Sequence, residues 1–339
     1  VEVAVAGERV RLRDVARLAG VSPTTASAVL TGRHVEMRIA ESTQQRVREA
    51  AAESGYRPNL AARNLRLRTS RIIGLVSDTI AADPYAGEML RGALAAALSH
   101  DHLLVIAESD SDRRTEDDLV RGMVDRQVDG LVYGCFSTRE VELSELVRSV
   151  PVTLLNCLAD PLPGPAVVPD EVQGGRAAAR CLLDAGHRDG IHLVGVRPRT
   201  VFAARERSRG IRAELRSAGV ALAGTVDCEW TPQDARRAVG ALLARGRPKA
   251  LICLNDRIAL GAYQAAQEAG LRIPDDLSVV GFDDSVLADW LVPGLSSVAL
   301  PHHEMGRLAT DLLIKGDRHP AVHRIGMLLR HRDSVAAPA

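Results

Sequence analysis

Residues 11–33 read RLRDVARLAGVSPTTASAVLTGR, and residues 56–65 read YRPNLAARNL. In the first stretch the apolar spacing predicts one helix from Leu12 to Ala19 and a second from Pro23 to Leu30, joined through Ala19-Gly20-Val21-Ser22. Gly20 stands where the first helix must stop and the backbone reverse, a conformation that suits a residue tolerating positive φ. Ser22 can cap the next helix by accepting from its free amide groups, and Pro23 fits the first turn, where a missing N–H costs nothing. Val15, Ala16, Ala19, Val21, Ala26, Val29 and Leu30 are small enough to let two helices cross closely, and Val47, Ala50 and Ala51 on a third pattern over 42–54 complete a three-helix core. This is helix-turn-helix spacing, which implies double-stranded DNA as a partner.

The second stretch strengthens that implication. Pro58 disfavours the helical region for Arg57 and so ends the third helix, after which Leu60 to Leu65 offer one further short helix. A helix of that length is not stable alone, so it should form only when DNA and a partner chain pack against it. The charge distribution agrees. Residues 1–70 hold twelve arginines against seven acids, a net +5 in a chain whose total is zero, so the basic end is directed to phosphate and affinity should fall with salt. Only Lys249 and Lys315 among 43 basic residues are lysines, which reflects codon bias more than function, although arginine suits phosphate contact.

From about Ser70 the pattern alternates. Strand patterns at 72–76, 103–107, 130–133 and 152–155 are separated by helical ones near 85–99, 113–127 and 139–149. A second series places strands at 191–194, 225–228, 250–254 and 278–282, with helices near 172–185, 203–218, 232–245 and 257–269. Two parallel, doubly wound lobes are implied, and ligands of such sheets bind beyond the carboxyl ends of the strands. The residues just after the strands are therefore the pocket candidates: Asp78, Phe136, Asn156, Asn255, Asp256 and Asp283. Tyr85, Phe202 and Trp230 join them as ring platforms, with Trp290 as a further aromatic, each of which could equally be core.

The chain resembles the LacI/GalR family of bacterial transcription regulators. Residues 12–30 and 56–66 look like its DNA-binding headpiece and hinge helix. Ile73-Gly74-Leu75-Val76, Asp129-Gly130-Leu131, Gly186-His187-Arg188, Asn255-Asp256, Val279-Val280-Gly281-Phe282-Asp283-Asp284 and Arg332-Asp333-Ser334 follow in the family's order. The resemblance implies an α/β protein with an N-terminal all-α helix-turn-helix headpiece and a two-lobed, doubly wound parallel-sheet effector domain that is periplasmic-binding-protein-like. The expected divisions are a headpiece at 1–57, a hinge helix and linker at 58–70, and an effector-binding and dimerisation domain at 71–339. Lobe 1 is expected at about 71–158 and 291–317 and lobe 2 at about 164–286 and 322–335, with crossings near 158–164, 286–292 and 317–323.

By the same resemblance Ser22, Pro23, Thr24, Thr25, Ser27, Ala28 and Arg33 face DNA, with Tyr56, Asn59, Ala61, Arg63 and Leu65 at the hinge. Leu65 falls where the family wedges a leucine into the minor groove. Pro23 and Ala28 cannot donate from their side chains, so base reading should lean on Thr24, Thr25, Ser27 and the hinge. The loop 33–38 is about three residues longer than the family usually has. Arg207 aligns with an arginine that binds ligand hydroxyls or a carboxylate, Asn255 and Asp283 with residues that orient the effector, and Asn156 with a frequent Asp or Asn ligand.

The implied protein is a homodimeric repressor, released from a near-palindromic operator when a sugar-type molecule enters the cleft. The alternatives are a corepressor-dependent regulator answering to a nucleobase or sugar phosphate, or a two-lobed binding protein or enzyme without DNA function. No GxGxxG after the first strand, GxxxxGK[ST], GxSxG or HExxH occurs, so no catalytic residue, metal ligand or cofactor is assigned. With 46% hydrophobic residues, no run of membrane-span length, an acidic N-terminus and five scattered cysteines, the chain reads as a cytoplasmic protein with reduced thiols, on the nucleoid when bound to DNA. No terminal heptad segment points to a tetramer.

Overall fold

A computed structural model describes residues 10–56, 69–79, 87–196 and 201–338. The expected hinge helix, with Asn59, Ala61, Arg63 and Leu65, and also Tyr85, lie outside the described residues. The chain divides into two compact units, residues 1–70 and 71–339.

Among the described residues the first unit has three helices: α1 (Leu12–Leu18), α2 (Pro23–Leu30) and α3 (Glu41–Glu53). Asp14 accepts from the Arg11 N–H at 3.0 Å, closing the start of α1, and Gly20 takes φ +65 at the reversal. Ser22 Oγ accepts from Thr25 N–H at 3.0 Å with Pro23 at the first helical position, a cap worth about 1 kcal/mol. Val15, Ala16, Ala19, Ala26, Val29, Val47, Ala50 and Ala51 form the core, as the apolar spacing implied. Leu12, Val21, Leu30, Ile39 and Tyr56 pack at its margin.

In the second unit the first sheet contains β1 (Ile72–Ser77), β2 (Leu103–Glu108), β3 (Gly130–Glu140), β4 (Val152–Leu158), β5 (Ala166–Pro169) and, from the far end of the chain, β11 (Val322–Ile325). Its order is β11-β5-β4-β3-β1-β2, parallel throughout. Helices α4 (Gly87–Ser99), α5 (Arg113–Asp125), the short α6 (Glu145–Arg148) and α12 (His302–Ile314) belong to this lobe. The second sheet has β6 (Ile191–Val194), β7 (Gly224–Val226), β8 (Ala250–Cys253), β9 (Ser278–Asp283), β10 (Ser296–Ala299) and β12 (Leu329–Arg330) in the order β12-β10-β9-β8-β6-β7. Only the β10–β12 pair is antiparallel. Its helices are α7 (Glu171–Asp184), α8 (Phe202–Ser217), α9 (Pro232–Leu243), α10 (Asp256–Glu268) and α11 (Val286–Trp290). One apolar cluster fills the second lobe, while two line the opposite faces of the first sheet.

Strand pairing moves the lobe boundaries. β5 is bonded between β4 and β11, so Asp160 to Pro165 is a loop inside the first lobe and the chain crosses at Asp170, not over 158–164. β10 pairs with β9 in the second sheet, which puts the second crossing just after Ala299 instead of 286–292. β11 and β12 lie in different sheets, so the third crossing is at 326–328 and not 317–323. The helix expected over 139–149 is also corrected. Residues 139 and 140 finish β3, and only Glu145–Arg148, capped by Ser144 Oγ, turn helical.

Candidate functional site

On the headpiece, α2 exposes Pro23 and Thr24, half-exposes Thr25 and Ser27, and is followed by an exposed Arg33. Thr25 Oγ1 lies 2.9 Å from Ser22 Oγ, so the two hydroxyls next to the cap also hold each other. Ala28 does not fit the expected outward face, because its side chain is fully buried. The chain leaving α2 doubles back, Arg33 N–H returning to the Ala28 carbonyl at 2.9 Å, and a residue without exposed surface reaches no base. Tyr56 is half-buried against the headpiece core. The exit turn carries exposed Val35 and Met37 between Arg33 and Arg38.

In the second unit the pocket candidates fall at the carboxyl ends of both sheets, where α8 of the second lobe approaches β3 of the first. On the first-lobe side Asp78 is buried and its polar capacity is spent on protein. Its Oδ1 accepts from Phe136 N–H at 2.8 Å and Thr79 N–H at 2.7 Å, while Oδ2 pairs with Arg139 at 2.6 Å. Asn156, at φ +58, is likewise committed. It donates through Nδ2 to the carbonyls of Cys135 and Phe136 at 3.0 Å each and accepts from Thr138 at 2.6 Å. These bonds brace the irregularity in β3 between Gly134 and Arg139, so Asn156 and Asp78 shape the rim, and the half-exposed Arg139 is the group they leave toward solvent.

On the second-lobe side the centre is Arg207, which α8 carries into the interior, 2% exposed. Nε and Nη2 donate to the two oxygens of Glu171 at 2.7 and 3.2 Å, and Nη1 donates to the Leu254 carbonyl at 2.5 Å and to Asp283 Oδ1 at 3.2 Å. The rings of Phe282 and Trp230 lie 4.7 and 5.7 Å from its guanidinium carbon. Burial works against that charge, yet Glu171 and Asp283 outweigh it and hold Arg207 protonated more firmly than usual. Asp283 sits at φ +99 at the end of β9, and burial lifts its carboxyl to about 6 against the pull of Arg207.

Asn255 caps α10 by accepting from Ile258 N–H at 2.7 Å, and its buried Nδ2 has no partner among the described residues. That orphaned donor, close to the Leu254 carbonyl that Arg207 holds, needs a ligand or water to offset its desolvation. Asp256 points elsewhere. Its carboxylate accepts from Ser285 N–H, Ser285 Oγ and Ser297 Oγ at 2.8, 2.9 and 2.7 Å and ties β9 to β10. Trp230 donates to the Gly195 carbonyl at 2.9 Å, Phe202 is half-buried under Arg205 at 5.0 Å, and Phe136 packs on the first-lobe core. Trp290 is 74% exposed and is no core ring. His187 is held at 3.1 and 3.0 Å from Ser278 Oγ and the Ala336 carbonyl, its pKa lowered by burial, as a structural histidine would be. All five cysteines are free and buried, and burial pushes the Cys157 thiol well up, away from a reactive thiolate.

Two site residues escaped the sequence reading. Glu171 follows a four-residue strand too short to see, and Arg139 stands where a helix was expected. The only pointer to Glu171 was a buried carboxylate owed to any buried arginine.

A helix-turn-helix unit followed by two doubly wound lobes, with a polar cluster where their strands end, defines a DNA-binding regulator governed by a small molecule. Comparison with known proteins agrees. Residues 11–59 match the family described as "Bacterial regulatory proteins, lacI family", and residues 179–335 match the "Periplasmic binding protein-like domain". The ribose operon repressor of Haemophilus influenzae is 32% identical over 91% of this chain and 92% of its own length. The HTH-type transcriptional regulator AscG of Escherichia coli is 34% identical over 96% and 98%. The lac repressor dimer bound to operator and an anti-inducer superposes with TM-score 0.77 at 25% identity, covering 97% of this chain and all of that one. The chain belongs to the LacI family of bacterial transcriptional regulators, and the relatives it matches are repressors and regulators, not enzymes.

Proposed function

We propose that this protein is a homodimeric repressor that leaves a near-palindromic operator when a sugar-type molecule binds between its lobes. The observation that carries the reading is the cluster of Arg207, Asp283 and the unpartnered Asn255 Nδ2 at the carboxyl ends of the second sheet. Donors and an acceptor converging beside aromatic rings suit a polyol. A cellobiose complex of the regulator CelR, 26% identical with TM-score 0.62, and a relative named for the ribose operon support a sugar. Corepression would use the same parts with the opposite sign.

Dimerisation is supported by apolar side chains that no described residue covers, along the β2 edge of the first sheet and on the second lobe. Leu94 and Leu98 on α4 and Leu103, Val105 and Ile106 on the edge strand β2 are exposed, and Val286, Trp290 and Val292 repeat this on the second lobe. Thr24, Thr25, Ser27 and Arg33 are proposed to meet the operator, with Asn59, Ala61, Arg63 and Leu65 following along the minor groove. The site of action is the cytoplasm, and among the described residues no helix is long and apolar enough to cross a membrane.

The test is a titration of full-length protein with duplex selected from a random pool, with and without a panel of neutral sugars. Affinity should fall steeply with salt and fall again with the active sugar. Tightening by every active ligand would reverse the sign of the response, and salt-insensitive or absent binding would remove the DNA role. A thermal scan of the same panel should find the ligand, since one at a hundred times its Kd adds about 2.7 kcal/mol.

A further inference from the structure

We propose that Glu171 decides what Arg207 can recognise, so that the effector meets Arg207 through one neutral hydroxyl and never through a carboxylate or phosphate. The inference rests on the cleft being the effector site and names the chemistry that site accepts.

A guanidinium has five N–H groups in a fixed plane, and it clamps an anion by offering two parallel ones along one edge. Four of the five are engaged here. The Nε and Nη2 edge is filled by both oxygens of Glu171, and both Nη1 hydrogens are taken by the Leu254 carbonyl and Asp283. One N–H on Nη2 is left, and no edge remains on which an anion could seat two bonds. The guanidinium plane is flanked as well by the rings of Phe282 and Trp230.

Glu171 cannot easily yield. It is 3% exposed, it is the first residue of α7 directly after the crossing at Asp170, and Arg207 is 2% exposed. Separating them would strand two buried charges without partners, which strongly favours keeping the pair. An incoming anion would also face the Glu171 and Asp283 carboxylates in a poorly solvated place, where like charges repel strongly. Arg257, in the first turn of α10, is a second cation whose charge acts on Asp283. A hydroxyl fits this arrangement. It can accept the remaining Arg207 N–H and donate to Asp283 Oδ2, which accepts no bond from the described residues. The orphaned Asn255 Nδ2 supplies a second donor for a neighbouring oxygen.

The experiment titrates full-length wild type, E171Q and E171D with ribose, glucose and cellobiose and with ribose 5-phosphate, glucose 6-phosphate and gluconate, by calorimetry at low and high salt. The expected result is that a neutral sugar binds wild type with a salt-insensitive Kd, and that its acidic counterpart binds at least about tenfold more weakly. E171Q, which frees part of the Arg207 edge, should narrow that ratio about tenfold or more, and E171D should restore it. A purely structural Glu171 would weaken both ligand classes equally and leave the ratio unmoved, which overturns the proposal. If E171Q does not fold, the wild-type ratio decides alone: an acidic sugar binding as tightly as its neutral counterpart overturns the role of Glu171 while the cleft stands as the site. Binding of none of the six to wild type would instead remove the sugar reading, and this proposal with it.

Discussion

Gly175 on α7 lies against the backbone of Arg207 on α8: a Cβ at Gly175 would come within 3.0 Å of the Arg207 carbonyl carbon and 3.0 Å of the Ile211 nitrogen. Gly210 repeats the contact in reverse against Val172, and in the first lobe Gly92 and Gly306 face the backbones of His303 and Met89 across the α4–α12 crossing. Each lobe therefore clamps helices backbone to backbone, and in the second lobe the α7–α8 crossing fixes how deep Arg207 reaches. Gly175→Ala should push α7 from α8, cost about 1–3 kcal/mol and weaken effector binding, read by urea melts and calorimetry. Gly240→Ala, in a helix with open space around it, should be neutral or gain about 0.5–1 kcal/mol, so equal losses at both positions would refute the clamp.

The buried Ala28 gives a test for the headpiece. Arginine at this position has no solvent to reach without opening the core, so Ala28→Arg should unfold residues 12–53 instead of adding a DNA contact. Hydrogen exchange on the full chain should show protection lost over α1 to α3 and kept in both sheets. Retained protection with tighter DNA binding would show that the exit turn of α2 can move aside.

Substituting Leu98→Glu together with Trp290→Glu tests the apolar face. Both residues are exposed in the single chain, so folding stability should change by less than about 0.5 kcal/mol. Sedimentation should nevertheless show a dimer for wild type and a monomer for the variant at the same concentration, and operator affinity should fall because two headpieces no longer arrive together. A variant that stays dimeric places the interface elsewhere.

The headpiece was legible because its signals are local. Gly20, Ser22 and Pro23 act within four residues of one another, and the apolar residues that predicted the crossing are the ones that pack. The lobe crossings were not, because β5, β10 and β11 are four-residue strands whose membership depends on partners far away. β11 pairs with β5 across more than half of the second unit, and no window around Val322 reveals that. The site was half legible in the same way. Arg207, Asn255 and Asp283 followed from the resemblance, whereas Glu171 needed the crossing placed at Asp170 before it could meet Arg207. Asn156 and Asp78 looked like ligands because strand ends face the cleft, but their bonds to Cys135, Phe136 and Arg139 show that strand ends also need bracing.

The pH response of the second unit should carry the mark of Asp256. Burial, with the nearby charge of Asp283, lifts its carboxyl to about 7 despite three hydrogen bonds from Ser285 and Ser297. A carboxyl raised in the folded state keeps its proton where the unfolded chain has already lost it. Its contribution to stability is therefore full near its ordinary value and declines as pH rises through about 7. Asp256→Asn cannot ionise, so the stability of wild type relative to this variant should drop by up to a few kcal/mol between about pH 5 and about pH 8. Carboxylates held low, such as Asp234, Asp276 and Glu304, act below that window and are common to both proteins. Urea melts across the range read the difference directly. A gap that stays level or widens with pH would mean that the serine hydroxyls hold Asp256 ionised throughout, and that the tie between β9 and β10 is an anion's and not an acid's.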